Sequence, residues 1–245
     1  MIPKLIHYCW FGRGKMPEHL KQYMVTWKRI LPDYKIMEWN EDNFDVDSSI
    51  AYVREAYAAQ KFAFVSDYVR LKVLYDYGGI YLDTDIEMIK SPENLLKDAS
   101  MVIGFETETK LITAFIASEK GNIIIADFLN RYATRHFLLE NGDYDLTPIN
   151  DKFTELLVQY GMKINNTRQS IGDGVEIYPY VVFCGQDIEN SHLKIEESTC
   201  TIHRFQASWV KQSFWVRLKY RVIIRILQKI LGCNRYDQVK RKLHL

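Results

Sequence analysis

Two aspartates one residue apart, Asp83 and Asp85, follow the run Gly78-Gly79-Ile80-Tyr81-Leu82. Carboxylates at that spacing can share a hard divalent cation, and such a cation can bridge a diphosphate. Its charge then lies where negative charge grows as a nucleoside diphosphate leaves a sugar. A bare D-x-D is a weak signal, because surface loops produce it often. The preceding residues strengthen it, since a buried strand has no structural reason to end in paired acids.

Other residues could serve the same chemistry. Asp67 and Arg70 are three apart in a helical run and so share a face; alone they read equally as a surface ion pair worth little. His203 sits late in the chain, and taken alone an isolated histidine is usually structural. Trp10 closes an apolar run before Phe11-Gly12, where it reads equally as core or as a stacking ring. Asn40 opens the polar loop Asn40-Glu41-Asp42-Asn43 and reads equally as a loop cap.

The elements needed to position these residues are legible in outline. Lys4–Trp10 and Tyr34–Trp39 read as strands, and Pro17–Ile30 as a helix between them. A helix capped by Ser48 or Ser49 is expected to run to about Gln60. Phe62, Val65, Val69, Val73 and Tyr77 mark an amphipathic helix, which Gly78-Gly79 stops before a short buried strand. Strands are then expected over 101–106, 111–118, 175–183 and 199–205, and helices over 122–137 and 147–160. The alternation predicts a largely parallel α/β sheet covered by helices, with ligands beyond the carboxyl ends of its strands. Trp10 and Asp83 both fall at such ends.

At 245 residues the chain fits one α/β domain with an appendage, and at 47% hydrophobic it can bury a core. Cys9, Cys184, Cys200 and Cys233 show no metal or disulfide spacing, which favours a reducing compartment. With no signal-peptide pattern and no long apolar run, a cytoplasmic location is expected. The near-neutral total hides a split. Residues 211–245 carry ten basic side chains and one acid, Asp237, leaving the preceding 210 residues net acidic.

Four motifs, in order, resemble a known family. They are Ile2-Pro3-Lys4-Leu5-Ile6-His7-Tyr8-Cys9-Trp10-Phe11-Gly12, then Ser66-Asp67-Tyr68-Val69-Arg70, then Gly78–Asp85, then Ile202-His203-Arg204-Phe205 with Ser208-Trp209. Together they are similar to the glycosyltransferases with a D-x-D sugar-binding region, classed as glycosyltransferase family 32 and related to yeast-type initiating mannosyltransferases and clostridial glucosylating toxins. The resemblance covers roughly residues 2–210 and is nearest to small bacterial members that build capsular or surface polysaccharide. It implies a GT-A-type, Rossmann-like mixed and mostly parallel sheet flanked by helices, a Mn²⁺ or Mg²⁺ ion, and retaining transfer from a nucleotide-sugar. Carried over, it assigns Trp10 to the donor base and Asn40 to a donor contact. Asp67 and Arg70 fall to the donor sugar and ribose, and Asp83 to ribose or metal. Asp85 and His203 become metal ligands, and Ser208 and Trp209 a segment closing near the diphosphate. Catalysis would then rest on Asp67, Arg70, Asp83 and Asp85. Neither Glu106 nor Asp187 is marked as a nucleophile, so a front-face mechanism is implied.

Two domains are expected: a catalytic domain over 1–210 and a basic amphipathic helical tail over 211–245. In the tail Arg217, Arg221, Arg225 and Lys229 form one stripe and Trp215, Val222, Ile223, Ile226, Leu227 and Ile230 another, with Lys219 intruding on the apolar side. Such a helix suits an anionic membrane surface or a protein partner. Peripheral attachment to the inner face of the cell membrane fits a lipid-linked oligosaccharide acceptor. No nucleic-acid motif accompanies the basic stripe. Within the enzyme reading a UDP-sugar is the favoured donor and GDP-mannose the second. A phosphohydrolase of D-x-D-x-[TV] type is disfavoured by Glu87 in the fifth place. A non-catalytic sugar-nucleotide-binding module is disfavoured because Asp67, Arg70, Asp83 and Asp85 are all present.

Overall fold

The computed structural model describes residues 1–187 and 192–206. Ser208, Trp209, the boundary expected at residue 210 and the tail over 211–245 lie outside the described residues.

The first half builds three parallel strands. β1 (Leu5–Cys9) leads through α1 (Glu18–Ile30) to β2 (Lys35–Trp39), which pairs with β1 so that Cys9 lies level with Trp39. α2 (Ala51–Ala58) and α3 (Phe62–Tyr77) then return the chain to β3 (Gly79–Leu82), on the other side of β1. β1 and β3 are matched at His7 and Tyr81, so Cys9 and Asp83 come two residues further along each strand. The carboxyl ends of β1 and β3 therefore share one edge of the sheet, as the α/β reading requires.

After β3 come β4 (Ile86–Met88), the single-turn α4 (Glu93–Leu96), β5 (Met101–Gly104) and β6 (Phe115–Ser118). They are followed by α5 (Ile123–Tyr132), α6 (Ile149–Gln159), β7 (Gln169–Ile171), β8 (Val175–Tyr178), the short α7 (Tyr180–Phe183) and β9 (Thr201–His203). The main sheet has the order β2-β1-β3-β6-β5-β8-β7, and only β6 and β7 run against the rest. This is the mixed, mostly parallel sheet with helices expected of a GT-A-type domain.

Several boundaries differ from the sequence reading, each for a local reason. The helix expected from Ser48 or Ser49 starts after Ile50 with no side-chain cap, because the Ser48 amide is already bound to Asp45 Oδ1 at 3.0 Å. α5 stops at Tyr132 and not at Phe137, since Glu55 takes the amides of Phe137 and Leu138 at 2.8 and 2.9 Å and draws the chain away. The run over 175–183 is broken by Pro179, which has no N–H for the ladder and instead precedes α7. α3 is buried beyond a single stripe, with Tyr68, Leu71 and Leu74 inside as well as Val65, Val69 and Val73, while Tyr77 is 45% exposed. The reason is that it lies between the sheet and helices α2 and α5.

The turn from α3 into β3 depends on two glycines. Gly78 and Gly79 hold φ of +68° and +110°, which L-residues with side chains avoid. A Cβ on Gly79 would sit 2.7 Å from the Leu5 carbonyl oxygen, and one on Gly78 would sit 2.6 Å from the Lys120 amide. Buried His7 braces the same turn. Trp39 Nε1 donates to its Nδ1 at 3.0 Å, so its Nε2–H donates to Gly78 O at 2.8 Å. Burial lowers the His7 pKa against the opposing pull of that second bond, which keeps the ring neutral. Gly79→Ala is expected to cost about 1–3 kcal/mol of stability through the strained φ and the backbone clash. A urea midpoint unchanged by the substitution would show that the turn relaxes freely.

The aspartate pair is set by a contact remote in sequence. β4 pairs antiparallel with β9, with Ile86 opposite His203, so the turn carrying Asp83 and Asp85 meets the late strand. α1 supports this two-stranded unit from below. Trp27 Nε1 donates to Ile86 O at 2.7 Å, and the Met88 amide donates to Thr26 Oγ1 at 2.9 Å. No described helix is long and apolar enough to cross a membrane.

Candidate active site

Asp83 leaves β3 with its amide bound to Ala114 O at 2.9 Å, and its Oδ1 accepts from the Tyr81 hydroxyl at 2.8 Å. Arg70 Nη2 lies 2.9 Å from Asp67 Oδ1 and 3.4 Å from Asp83 Oδ1. Its Nη1 donates to Thr113 O at 2.8 Å, and its Nε donates to Ser66 O at 3.3 Å. The guanidinium also lies over the Tyr81 ring, 4.8 Å from the centroid. Asp67 and Arg70 are therefore not a surface pair. They are a buried hub that ties α3 to the tip of β3, and most of the guanidinium donors are spent within the protein.

Asp85 sits on the other side of the turn. Its Oδ2 accepts from the Gln206 amide at 2.8 Å, and its Oδ1 lies 3.4 Å from His203 Nε2. One ligand atom each from Asp83, Asp85 and His203 fall within 4.8 Å of one another. Two carboxylates and an imidazole fit a divalent ion of Mn²⁺ type, the oxygens suiting Mn²⁺ or Mg²⁺ and the nitrogen favouring the transition metal. Asp83 is the open member, with 29% of its side chain exposed against 13% for Asp85 and 12% for His203. A ligand would enter from the Asp83 side.

The electrostatics follow from burial. Burial pushes Asp67 up to about 6, with Arg70 pulling it back and Asp83 adding to the rise. Asp83 is also raised, chiefly by burial, against the pull of Arg70. Burial acts on Asp85 in the same direction, but His203 and the Gln206 amide outweigh it, so its pKa is lowered. For His203 burial disfavours the imidazolium, yet Asp85 first, then Cys184 and Glu106, reverse this and raise it well above its ordinary value. Cys9, beside Arg70 and Tyr81, is pushed up to about 12 by burial and stays a neutral thiol.

Trp10 and Asn40 come together in a separate place on the same sheet edge. Both line a cleft of about 230 Å³ with Arg13, Gly14, Glu38, Glu41 and Asp42. The half-buried Trp10 indole donates to Gly14 O at 2.6 Å, which fixes the ring plane in the cleft wall. Asn40 is engaged at both ends of its amide, donating to Glu38 Oε1 at 2.9 Å and accepting the Asp42 amide at 2.9 Å. Its first task is thus to shape its own loop.

Glu106, weighed in the sequence only as a nucleophile, stands instead beside His203. Glu106 Oε1 lies 3.4 Å from His203 Nδ1, and its Oε2 accepts from Asn150 Nδ2 at 3.1 Å. The available signal was its place just beyond the carboxyl end of β5.

Residues 17–102, about a third of the chain, match the family described as glycosyltransferase sugar-binding region containing DXD motif. Asp83 and Asp85 lie within that match. An uncharacterized glycosyltransferase of Acanthamoeba polyphaga mimivirus is 32% identical over 95 residues, which is 35% of this chain and 36% of that one. Inositol phosphoceramide mannosyltransferase 1 of Schizosaccharomyces pombe is 29% identical over 113 residues, 42% of this chain and 34% of that one. The chain thus spans only about a third of the length of these relatives. Among solved structures, the PaToxG glycosyltransferase aligns with a TM-score of 0.49 at 23% identity, over 64% of this chain and 68% of that one. The glycosyltransferase domain of the YGT toxin aligns with a TM-score of 0.40 at 12% identity, over 66% and 69%.

Proposed function

We propose that the chain is a metal-dependent, retaining glycosyltransferase that moves a hexose-type sugar from a nucleotide-sugar, UDP-linked in preference, to a glycan or lipid-linked oligosaccharide in surface polysaccharide synthesis. The observation that carries this reading is the convergence of Asp83 and Asp85, both within the region that matches the DXD family, with His203 from a distant stretch of the chain. In this reading Asp83, Asp85 and His203 hold Mn²⁺ or Mg²⁺. When bound, the ion supplies positive charge to the leaving diphosphate.

The chain's own residues do the rest. Trp10 stacks on the donor base in its cleft, with Asn40 holding the adjoining loop. Asp67, Arg70 and Asp83 orient the ribose and donor sugar, Arg70 chiefly by fixing the two carboxylates. Ser208 and Trp209, which the resemblance assigns to the diphosphate, lie outside the described residues. Glu106 is committed to Asn150 and His203, so no carboxylate here stands out as a nucleophile against the sugar. The front-face course is the one that the resemblance to the DXD glycosyltransferases implies. The bond from the anomeric carbon to the β-phosphate oxygen breaks as the acceptor oxygen bonds to the same face. The acceptor proton passes to the leaving phosphate oxygen.

A mannosyl donor, GDP-mannose, is the second reading, in line with the name of the fission-yeast relatives. The basic stripe over 211–245 would hold the enzyme on the inner, anionic face of a membrane, near a lipid-linked acceptor. The test is calorimetric titration of UDP and GDP with Mn²⁺ present. Trp10→Ala is expected to weaken the preferred nucleotide by about 10- to 100-fold, the worth of one stacked base. Unchanged nucleotide affinity would remove Trp10 from the donor site.

A further inference from the structure

We propose that Glu106 is the positioning residue for His203, holding the imidazole so that Nε2, and not Nδ1, is presented to the metal. This rests on the reading of Asp83, Asp85 and His203 as metal ligands. The two ring nitrogens face different carboxylates. Nε2 lies 3.4 Å from Asp85 Oδ1 within the ligand group, and Nδ1 lies 3.4 Å from Glu106 Oε1 on the far side of the ring. His203 Nδ1 is buried, and among the described residues no partner reaches it with full hydrogen-bond geometry. A small turn of the ring toward Glu106 completes that bond. An imidazole bound to a metal through Nε2 must carry its proton on Nδ1, and a carboxylate there fixes both tautomer and orientation.

Glu106 is itself held in place. Its amide donates to Lys110 O at 2.7 Å, and its Oε2 accepts from Asn150 Nδ2 at 3.1 Å. Asn150 also donates to Leu111 O at 2.9 Å and accepts from Thr113 Oγ1 at 2.8 Å. Since Thr113 O accepts from Arg70, this chain of contacts runs from the buried Arg70 hub to His203, around the outside of the candidate metal site. The Glu106 side chain is 13% exposed, and the contacts of both its oxygens point away from a direct role with substrate. On the remaining side the His203 ring lies against Phe205, with centroids 4.0 Å apart. Phe205 thus flanks one side of the ring, and the Cys184 thiol also reaches the His203 side chain.

The test is Mn²⁺ affinity of the full chain, read from the electron paramagnetic resonance of free Mn²⁺, alone and with UDP or GDP. Glu106→Gln and Glu106→Ala are compared with the unsubstituted chain, and Glu106→Gln is repeated in the His203→Gln background. Melting in EDTA checks that each variant folds. The expected result is a tenfold to hundredfold loss of Mn²⁺ affinity on Glu106 substitution, with folding retained. In the His203→Gln background the further loss should vanish. Affinity within twofold of the unsubstituted chain overturns the proposal. So does an equal loss in both backgrounds, which would mean that Glu106 acts on the metal without His203. Failure of the unsubstituted chain to bind Mn²⁺ in any of the three conditions is a different result. It overturns the metal reading itself, and this inference with it.

Discussion

Arg70→Met is expected to destabilise the domain by about 3–5 kcal/mol, because it leaves the buried carboxylate of Asp67 and the neighbouring Asp83 without their shared cation. Methionine keeps much of the volume, so the loss reports charge and hydrogen bonds more than packing. Four contacts go at once: those to Asp67, Asp83, Thr113 O and Ser66 O. Arg70→Lys should recover only part of the loss, since one ammonium cannot reproduce the planar fork. Urea unfolding of the two variants at neutral pH measures both. If Arg70→Met cost under about 1 kcal/mol, it would behave as an exposed ion pair, and the hub described for α3 and β3 would be wrong.

Asp85→Asn carries the second large effect, and on function. The amide oxygen can still accept the Gln206 amide, so the turn into β4 should survive and the melting temperature should change little. What is lost is the charge that draws a cation between Asp85, Asp83 and His203. Metal-dependent turnover of the donor is expected to fall by about a hundredfold to a thousandfold, the usual cost of removing one electrostatic contributor from such a site. The same loss in Asp83→Asn would be harder to interpret, since Asp83 also partners Arg70 and Tyr81. Turnover within a few-fold of the unsubstituted protein would exclude Asp85 as a ligand.

Local signals carried the sequence reading a long way. α3 was bounded correctly because its apolar spacing is long and two glycines end it. The tip of β3 stood out because acids follow an apolar run. Where the reading failed, the deciding interactions were distant in sequence. Glu55 ends the path of α5 from 81 or more residues away, and no local residue reports it. β4, three residues long, carries no alternation that can be read; it exists because β9 pairs with it and α1 lies beneath.

The site shows the same division. Asp67, Arg70, Asp83, Asp85 and His203 were named from motifs, yet their depth and mutual partners were not visible. Spacing alone leaves a helix-surface pair open for Asp67 and Arg70, because it gives the face of a helix but not what packs on it. Asn40 read as loop or ligand, and its amide turns out to be spent on its loop. Glu106 went unmarked because the histidine it faces lies almost a hundred residues later in the chain.

The central claim is that this chain turns over a nucleotide-sugar with help from a divalent metal at Asp83, Asp85 and His203. Donor hydrolysis across a panel of UDP- and GDP-sugars, with Mn²⁺ and with EDTA, tests it most directly. The expected result is release of the nucleoside diphosphate from one donor, with UDP-sugars favoured, and loss of that activity in EDTA. No metal-dependent hydrolysis or binding of any donor in the panel would contradict it, and would bring forward the reading of a sugar-nucleotide-binding module without catalysis.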